Sequence, residues 1–493
     1  MKLRNLLYGF EHTGTCGLSD IDVNELAYRP EDAKESCAYV LLKGIKNDTK
    51  KYLPYILSKA PGVIIHDRDE LDTGDIPAVR VKDARAVLAF MYSRLYVPDI
   101  EKLRFTGVTG TNGKTTTSRL IYSILRKSGL SCIYFGTGRI EINDTRISPD
   151  FYSMTTPDPE VLYPALRRAI DSGCTDVVME VSSHSLALGK VAPIHFCRAV
   201  FTNLSPEHLD FHKNMDAYAD AKLRLFNSAD TGIFNIDDEY SKMLIKRASC
   251  AVIKVGCLEI GDVNIHAPEI NGLCGSSYSY VTNNYSFIQK LRLPGAYNIY
   301  NSALALCCAI SLGIPPRIAK TAVSEVSCIE GRMEKVHAAP DIYIDYAHTP
   351  AALEAALRLI SASVQNRGRI ITVFGCGGER DREKRPIMAA VAEKYSSVVV
   401  VTEDNCRNER LTDIFRDILV GFSGSTHKII ANRERAIDYA IATAKENDTV
   451  LIAGKGHEEY TIGAGGILPY SEKNAIYKAL KLREEGNNKR HEN

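Results

Sequence analysis

The chain has no excess of charge of either sign: 61 Lys and Arg face 60 Asp and Glu in 493 residues, a formal net charge of +1. Nucleic acid and acidic membrane surfaces are held by a strong basic field, so neither is an expected partner. There is no C-x-x-C pair, and the 13 cysteines are an odd number. That argues against a disulfide framework or a zinc site, and for a reducing compartment in which most cysteines are small core residues. No apolar run reaches the length of a membrane span; the longest helical candidate, SALALCCAISLGI, falls short. The first residues, MKLRNLLYGFEHTG, lack the apolar segment of a signal peptide, so a soluble cytoplasmic protein is expected. Internal repeats and low-complexity tracts are also missing, apart from a polar tail over 481–493 that is expected to be disordered.

What is present is a long α/β pattern. The length exceeds the roughly 250 to 300 residues at which one core stops growing, so about two to four domains are expected. Residues 1–100 alternate short strands (AYVLLKG, GVIIHD) with helices and read as a small N-terminal α/β domain. Residues 101–333 hold the continuous apolar strands DVVMEVSS, CRAVFTNLS and TGIFNIDD, the mark of a buried and largely parallel sheet. Residues 334–480 repeat that pattern with DIYIDYAHTP, RIITVFGCGG, SVVVVTEDN and DTVLIAGKGH, a second doubly wound, Rossmann-like sheet. In such sheets, ligands sit beyond the carboxyl ends of the strands.

Between the first strand and helix of the central segment stands GVTGTNGKTTT, residues 107–117. Glycines let several backbone N–H groups turn toward one anion, and Lys114 adds a fixed positive charge. The spacing departs from the general phosphate-loop pattern, which would place glycine at 108, where this chain has Val108. The working part is therefore Gly110, Thr111, Asn112, Gly113, Lys114, Thr115 and Thr116, followed by a helix in which Leu120, Ile121, Ile124 and Leu125 recur at helical spacing. An ordinary strand-to-helix turn has no need of a Gly-Lys-Thr-Thr run. Four further stretches end strands in polar chemistry: MEVSSHS, TNLSPEHLDFH, DYAHTP and GCGGERDREKRP. A hard magnesium ion needs oxygen ligands, which Thr115 and Glu180 would supply from neighbouring strand ends; His208 is softer but could complete a second position.

Taken together, TGTNGKTTT, MEVSSH, FTNLSPEHLDFH, YADAKLRLF, LPGAYNIYNSALA, EGRMEKV, DYAHTP, GCGGERDREKRP, DNCR and AGKGHE, in this order over about three quarters of the chain, resemble the Mur ligases. These are ATP-dependent amide-bond-forming enzymes of peptidoglycan synthesis. The last three motifs look like the member that adds the third peptide residue to UDP-N-acetylmuramoyl-L-alanyl-D-glutamate. The resemblance implies that a substrate carboxylate attacks the ATP γ-phosphate and that an amine captures the acyl phosphate. It implies ATP contacts from the loop with Asn298 and Asn301 on the adenine side, and from Arg332 and Asp345 to phosphate and ribose. Lys114, Lys222 and His208 become the catalytic set, with Mg2+ held by Thr115, Glu180, His208 and Lys222. Lys222 matches a lysine that the family carries as a carbamate, which turns a cation into a carboxylate-like ligand.

On the acceptor side the resemblance points to Arg380, Asp404, Asn405, Arg407, Gly454 and Glu458. Arg407 is the discriminating residue, because family members that use meso-diaminopimelate grip its distal carboxylate with an arginine here, and Glu458 suits a substrate ammonium. Cys406 replaces the usual proline. On the donor side the match implies Thr155, Thr156, Ser182 and Lys190. There the sequence departs: the D-S-R motif of the first domain reads Arg29, Pro30 and Glu31, and the Gln-x-Arg after S-S-H reads Leu188, Gly189 and Lys190. Lys43 and Lys46 are candidates to substitute. The expected partners are thus a UDP-muramoyl dipeptide and a diamino acid, with a Mur-ligase paralogue that joins an amino acid to another carboxylate as the alternative. An ATP-hydrolysing switch is the third reading, and it has no use for an acceptor pocket. Oligomeric state is not written in the sequence; a monomer is the default expectation.

Overall fold

The computed structural model describes residues 1–14, 21–44, 48–149, 152–364 and 368–491. Among them, three large sheets follow one another along the chain. The first has the strand order His12–Gly14, Ala78–Val81, Val63–His66, Ala38–Leu41, Leu26–Ala27. Two of its inner strands, Ala38–Leu41 and Val63–His66, are buried at every position, as strands covered on both faces are. The second sheet is a parallel run from Cys132–Gly136 to Val263–Ile270, extended by antiparallel strands at both edges. The third is parallel from Asp341–Asp345 to His427–Ile429, with the antiparallel strand Glu334–His337 at its rim.

The register places the chemistry. The strand Arg104–Thr109, which runs into the glycine loop, lies between Asp176–Glu180 and Phe196–Phe201, all parallel; Glu180 is opposite Val108, and Phe201 is opposite Thr109. Three carboxyl ends therefore open side by side above Gly110, Glu180 and Thr202, the position where a doubly wound sheet takes its ligand. In the third sheet, Asp345 is opposite Ala453, so the turns after Asp345 and Ala453 share an edge in the same way.

Segments that read as separate in sequence are not separate in packing. One apolar cluster runs from Leu3 and Leu6 of the first segment through Phe105, Leu162 and Phe196 of the second, and the helix Ala84–Tyr96 packs on Pro159–Asp171. The third segment meets the second through polar contacts: Arg146 with Glu459, Lys473 with Glu330, His348 with Glu207, and His457 Nε2 with Thr137 O. These bring the carboxyl edges of the second and third sheets face to face.

The polar tail differs from the expectation of disorder. A helix runs from Glu472 to His491, through most of the segment 481–493. Ala475, Ile476 and Ala479 bury its first turns against the helix Arg433–Thr443. A helix seeded by such an apolar stripe can be extended by residues that have no apolar face of their own.

Candidate active site

The glycine loop is shaped by contacts that leave no room for a side chain. Gly110 (φ +154°) and Gly113 (φ +84°) adopt backbone conformations that favour glycine; a Cβ would lie 1.8 Å from Thr202 Oγ1 in the first case and 2.4 Å from Asn301 Oδ1 in the second. The loop is anchored from the neighbouring strand end: Thr111 N donates to Asn203 O (2.9 Å), Asn112 N to Asn203 Oδ1 (2.9 Å), and Thr202 Oγ1 to Asn112 O (2.6 Å). The N–H groups of Lys114, Thr115 and Thr116, at the start of a 14-residue helix, have no hydrogen-bond partner among the described residues. Three orphan amides on a helix dipole form an anion cradle. Lys114 folds back over it, its Nζ donating to Gly110 O and Thr111 O at 2.9 Å each. Desolvation pulls that ammonium below its ordinary range, while Glu207 and Glu180 pull the other way.

Glu180 is fully buried and accepts four hydrogen bonds: from Thr115 Oγ1 (3.1 Å), Tyr134 OH (3.0 Å), Thr137 N (3.1 Å) and Thr137 Oγ1 (3.2 Å). Arg332, at the end of the second segment, donates to Thr115 Oγ1 at 2.9 Å, with its guanidinium carbon 4.5 Å from the ring centroid of Tyr346 in the third segment. Asp345 accepts from Met333 N (2.7 Å) and Ala347 N (2.8 Å), so backbone amides hold both its oxygens. Asn298 and Asn301, expected on the adenine side, form a ladder: Asn301 Nδ2 donates to Asn298 Oδ1 and Asn298 Nδ2 to Pro294 O. Asn301 Oδ1 accepts from Thr117 Oγ1, so this side chain braces the phosphate loop.

Beside the loop lies an unusual lysine. Lys222 is 1 % exposed on the helix Met215–Asn227, its Nζ 3.5 Å from Thr109 Oγ1 and 4.6 Å from the Tyr218 ring centroid. Burial, reinforced by repulsion from Lys114, drives its pKa far below the usual lysine range. Burial without a carboxylate in contact disfavours the charged form of an amine. His208 sits at a positive φ of 58° and lies 3.8 Å from Glu207 Oε2; burial lowers its imidazole to about 3, with Glu207 opposing and Lys114 and Lys222 adding to the fall. Glu207 in turn accepts from His348 Nε2 at 3.1 Å, a bridge to the third segment. No group of three His, Cys, Asp or Glu that could hold a metal occurs among the described residues.

Five of the six acceptor candidates converge around Asn405. Its Nδ2 donates to Glu458 Oε2 (2.9 Å), and its Oδ1 accepts from Lys455 Nζ (2.8 Å) and Ile462 N (2.9 Å). A Cβ on Gly454 (φ +117°) would lie 3.0 Å from Asp404 Oδ2. Burial pushes the Asp404 carboxyl up, but Lys455 and Arg433 more than offset this and hold it low. Arg407, at φ +53°, donates through Nη1 to Gly378 O (2.8 Å) and Asn405 O (3.1 Å). The sixth, Arg380, is exposed and acts on Arg407 and His184 through its charge. On the donor side, Thr156 Oγ1 donates to Glu180 O (2.9 Å) and Ser182 Oγ (3.3 Å), and Thr155 Oγ1 lies 3.0 Å from Thr137 Oγ1. Lys190 Nζ is 2.6 Å from Asp158 Oδ1. Lys43 pairs with Asp67, and Lys46 lies outside the described residues.

The sequence pattern of the Mur ligase middle domain matches residues 108–309, and that of the Mur ligase glutamate ligase domain matches 331–456. A UDP-N-acetylmuramoyl-L-alanyl-D-glutamate–2,6-diaminopimelate ligase of Caldanaerobacter subterraneus subsp. tengcongensis is 36 % identical over 486 residues, covering 97 % of this chain and 99 % of the relative. The chain belongs to the Mur ligase family. The like-named ligase of Clostridium perfringens is also 36 % identical, over 98 % of this chain and 100 % of its own length. Among solved structures, one of the same name superposes with a TM-score of 0.67 at 28 % identity, over 98 % of this chain and 99 % of the other. A folylpolyglutamate synthase of Mycobacterium tuberculosis shares the fold at a TM-score of 0.62 and 18 % identity, over 75 % of this chain and 92 % of its own.

For this Mur ligase, sequence reasoning missed Lys455, Glu207, His348 and His457, whose Nε2 lies 2.6 Å from Thr137 O beside Glu180. All four lie inside quoted motifs, so the signal was present. Lys455 matters most, because its buried ammonium occupies Glu458 Oε2 (3.3 Å) and Asn405 Oδ1. The carboxylate expected to await a substrate ammonium therefore already has a cation.

Proposed function

We propose that this Mur ligase joins meso-diaminopimelate to UDP-N-acetylmuramoyl-L-alanyl-D-glutamate, with ATP as the energy source, in a three-part chain of residues 1–100, 101–333 and 334–480. The observation that carries the reading is the meeting of two loops across one cleft: the phosphate loop with Glu180 on one side, and the Arg407–Asn405–Glu458 cluster on the other, bridged by His457 to Thr137 and His348 to Glu207. Near-full-length relatives named for this reaction support it.

The nucleotide's phosphates would lie on the amides of Lys114, Thr115 and Thr116, with Lys114 and Arg332 as counter-charges to the transferred phosphoryl group. The donor carboxylate attacks the γ-phosphorus, giving ADP and an acyl phosphate. The amine then attacks the acyl carbon and expels phosphate, leaving the amide. The residues fit magnesium: Thr115 and Glu180 offer hard oxygens, and an ion of this kind takes its remaining ligands from water and phosphate. When bound, it would neutralise charge building on the phosphoryl oxygens. Lys222 fits a carbamate, since addition to carbon dioxide needs the neutral amine that its buried setting favours, and the product is an anion suited to a cation beside His208. Arg407 would aim at the distal carboxylate of the diamino acid, with a guanidinium already fixed by two carbonyls.

Incubating the chain with donor, ATP, magnesium and a panel of amino acids, and weighing the products by mass spectrometry, tests this reading. The product with meso-diaminopimelate should dominate. A dominant L-lysine product would overturn the acceptor assignment, and no product from this donor with any amine would favour a paralogue with another carboxylate substrate.

A further inference from the structure

The turn between the strands Thr449–Ala453 and Tyr460–Gly463 carries Glu458, and it also touches the phosphate site. His457, next to Glu458, reaches across the cleft, its Nε2 2.6 Å from Thr137 O. A carbonyl can only accept, so Nε2 carries the proton. Burial and the charge of Arg332 lower the imidazole, against the pull of Thr137, Glu330 and Glu180, and the ring is neutral. Its bare Nδ1 is enclosed and has no hydrogen-bond partner among the described residues, so the ring's side-chain bonding goes through Nε2.

Thr137 stands in the turn between Cys132–Gly136 and Arg139–Ile142 and supplies two of the four hydrogen bonds to Glu180, from its N–H to Oε1 and from Oγ1 to Oε2. On the other side of the same carboxylate, Thr115 Oγ1 donates to Oε2 and accepts from Arg332. The His457 turn is in contact there too. A Cβ on Gly331 (φ +66°), the neighbour of Arg332, would lie 2.4 Å from His457 N, and Tyr346, whose ring lies against the Arg332 guanidinium, donates to Glu458 Oε1 at 3.3 Å. One turn of the third segment therefore braces Glu180 by two routes, through Thr137 and through Arg332 with Thr115. We propose that His457 is a positioning residue for phosphoryl transfer: its Nε2–H fixes the Thr137 turn, and through it Glu180, so that the phosphate site is fully formed only while the turn that carries Glu458 is docked against it. This rests on the proposed ligation, which needs both sites at once.

The test combines initial-rate kinetics and calorimetry on the full chain and on His457→Ala, His457→Gln and His457→Asn. A Gln side chain extends as far as Nε2 and can donate to Thr137 O, whereas Asn reaches only as far as Nδ1. His457→Ala should lower kcat about five- to tenfold, the size of one hydrogen bond, and change KM for the amine by less than about twofold. A non-hydrolysable ATP analogue, titrated with magnesium and no other substrate, should bind His457→Ala about five- to tenfold more weakly. His457→Gln should restore both quantities to within about twofold of the unaltered chain, and His457→Asn should match His457→Ala. If His457→Ala does not fold, the comparison of Gln with Asn carries the test. Values within about twofold of the unaltered chain in both measurements would overturn the proposal. So would rescue by Asn and not by Gln, which would move the role to Nδ1, and so would a loss confined to KM for the amine, which would assign His457 to the acceptor pocket alone. If the unaltered chain forms no amide, the functional reading has failed instead, and the titration, which uses neither donor nor amine, still decides whether His457 supports the phosphate site.

Discussion

Replacing Arg407 by Ala separates recognition of the acceptor from everything else the third segment does. The side chain donates to Gly378 O and Asn405 O, and burial together with Arg380 holds its pKa below the usual arginine value. A guanidinium so desolvated gains most from a carboxylate ligand. Losing one charge-assisted contact of about 1.5 to 3 kcal/mol corresponds to about a 10- to 150-fold fall in kcat/KM for meso-diaminopimelate. The backbone at 407 sits at φ +53°, which Ala tolerates no better than Arg, so the substitution neither relieves nor adds strain there. The assay compares kcat/KM for meso-diaminopimelate with that for L-lysine, which lacks the distal carboxylate. The loss should fall on diaminopimelate alone and narrow the preference between the two. An equal loss for both amines would refute the reasoning, because it would mean that Arg407 acts only by holding the loop to Gly378.

Lys114→Ala should abolish turnover, measured as ADP release, because the phosphate cradle loses its counter-charge. Lys222→Ala should be severely impaired and partly rescued by a small added carboxylate; robust activity without the additive would remove the carbamate assignment. Acid should destabilise the fold through the histidines by the loop. Burial, with Lys222 adding to it, lowers the His212 imidazole to about 4 from an ordinary 6.5. Below pH 6.5 the unfolded chain therefore binds a proton that the folded chain refuses, and stability falls as the pH drops toward 4. For His212, 6 % exposed, the loss between pH 7 and pH 5 is at most about 2 kcal/mol. Thermal unfolding at the two pH values, for the unaltered chain and His212→Gln, should show the larger drop in the former.

The phosphate site was legible in the sequence because it is local. Glycines at 110 and 113 and a Lys-Thr pair at the start of a helix dictate the loop within a few residues, and the bracing by Thr202, Asn203 and Asn301 comes from afar. The sheets were legible because continuous apolar strands alternate with helices. Pairings between distant polar residues were not legible. Nothing near Lys190 announces that Asp158 will hold it, nor near Glu207 that His348 will reach it; and although Lys455 lies only three residues before Glu458, that spacing does not say that it turns inward to pair with it. Such choices depend on which groups the fold leaves without water, and a buried carboxylate takes the nearest cation. The helix through 481–491 escaped for a related reason: the residues that fix it, Ala475, Ile476 and Ala479, lie before the polar stretch.

ADP release from the unaltered chain, with donor and amine withheld in turn, tests the central claim most directly. Ligation predicts release only when ATP, magnesium, UDP-N-acetylmuramoyl-L-alanyl-D-glutamate and meso-diaminopimelate are all present, with one amide formed for each ADP. Sustained release without donor or amine would contradict it and leave the phosphate loop serving hydrolysis alone.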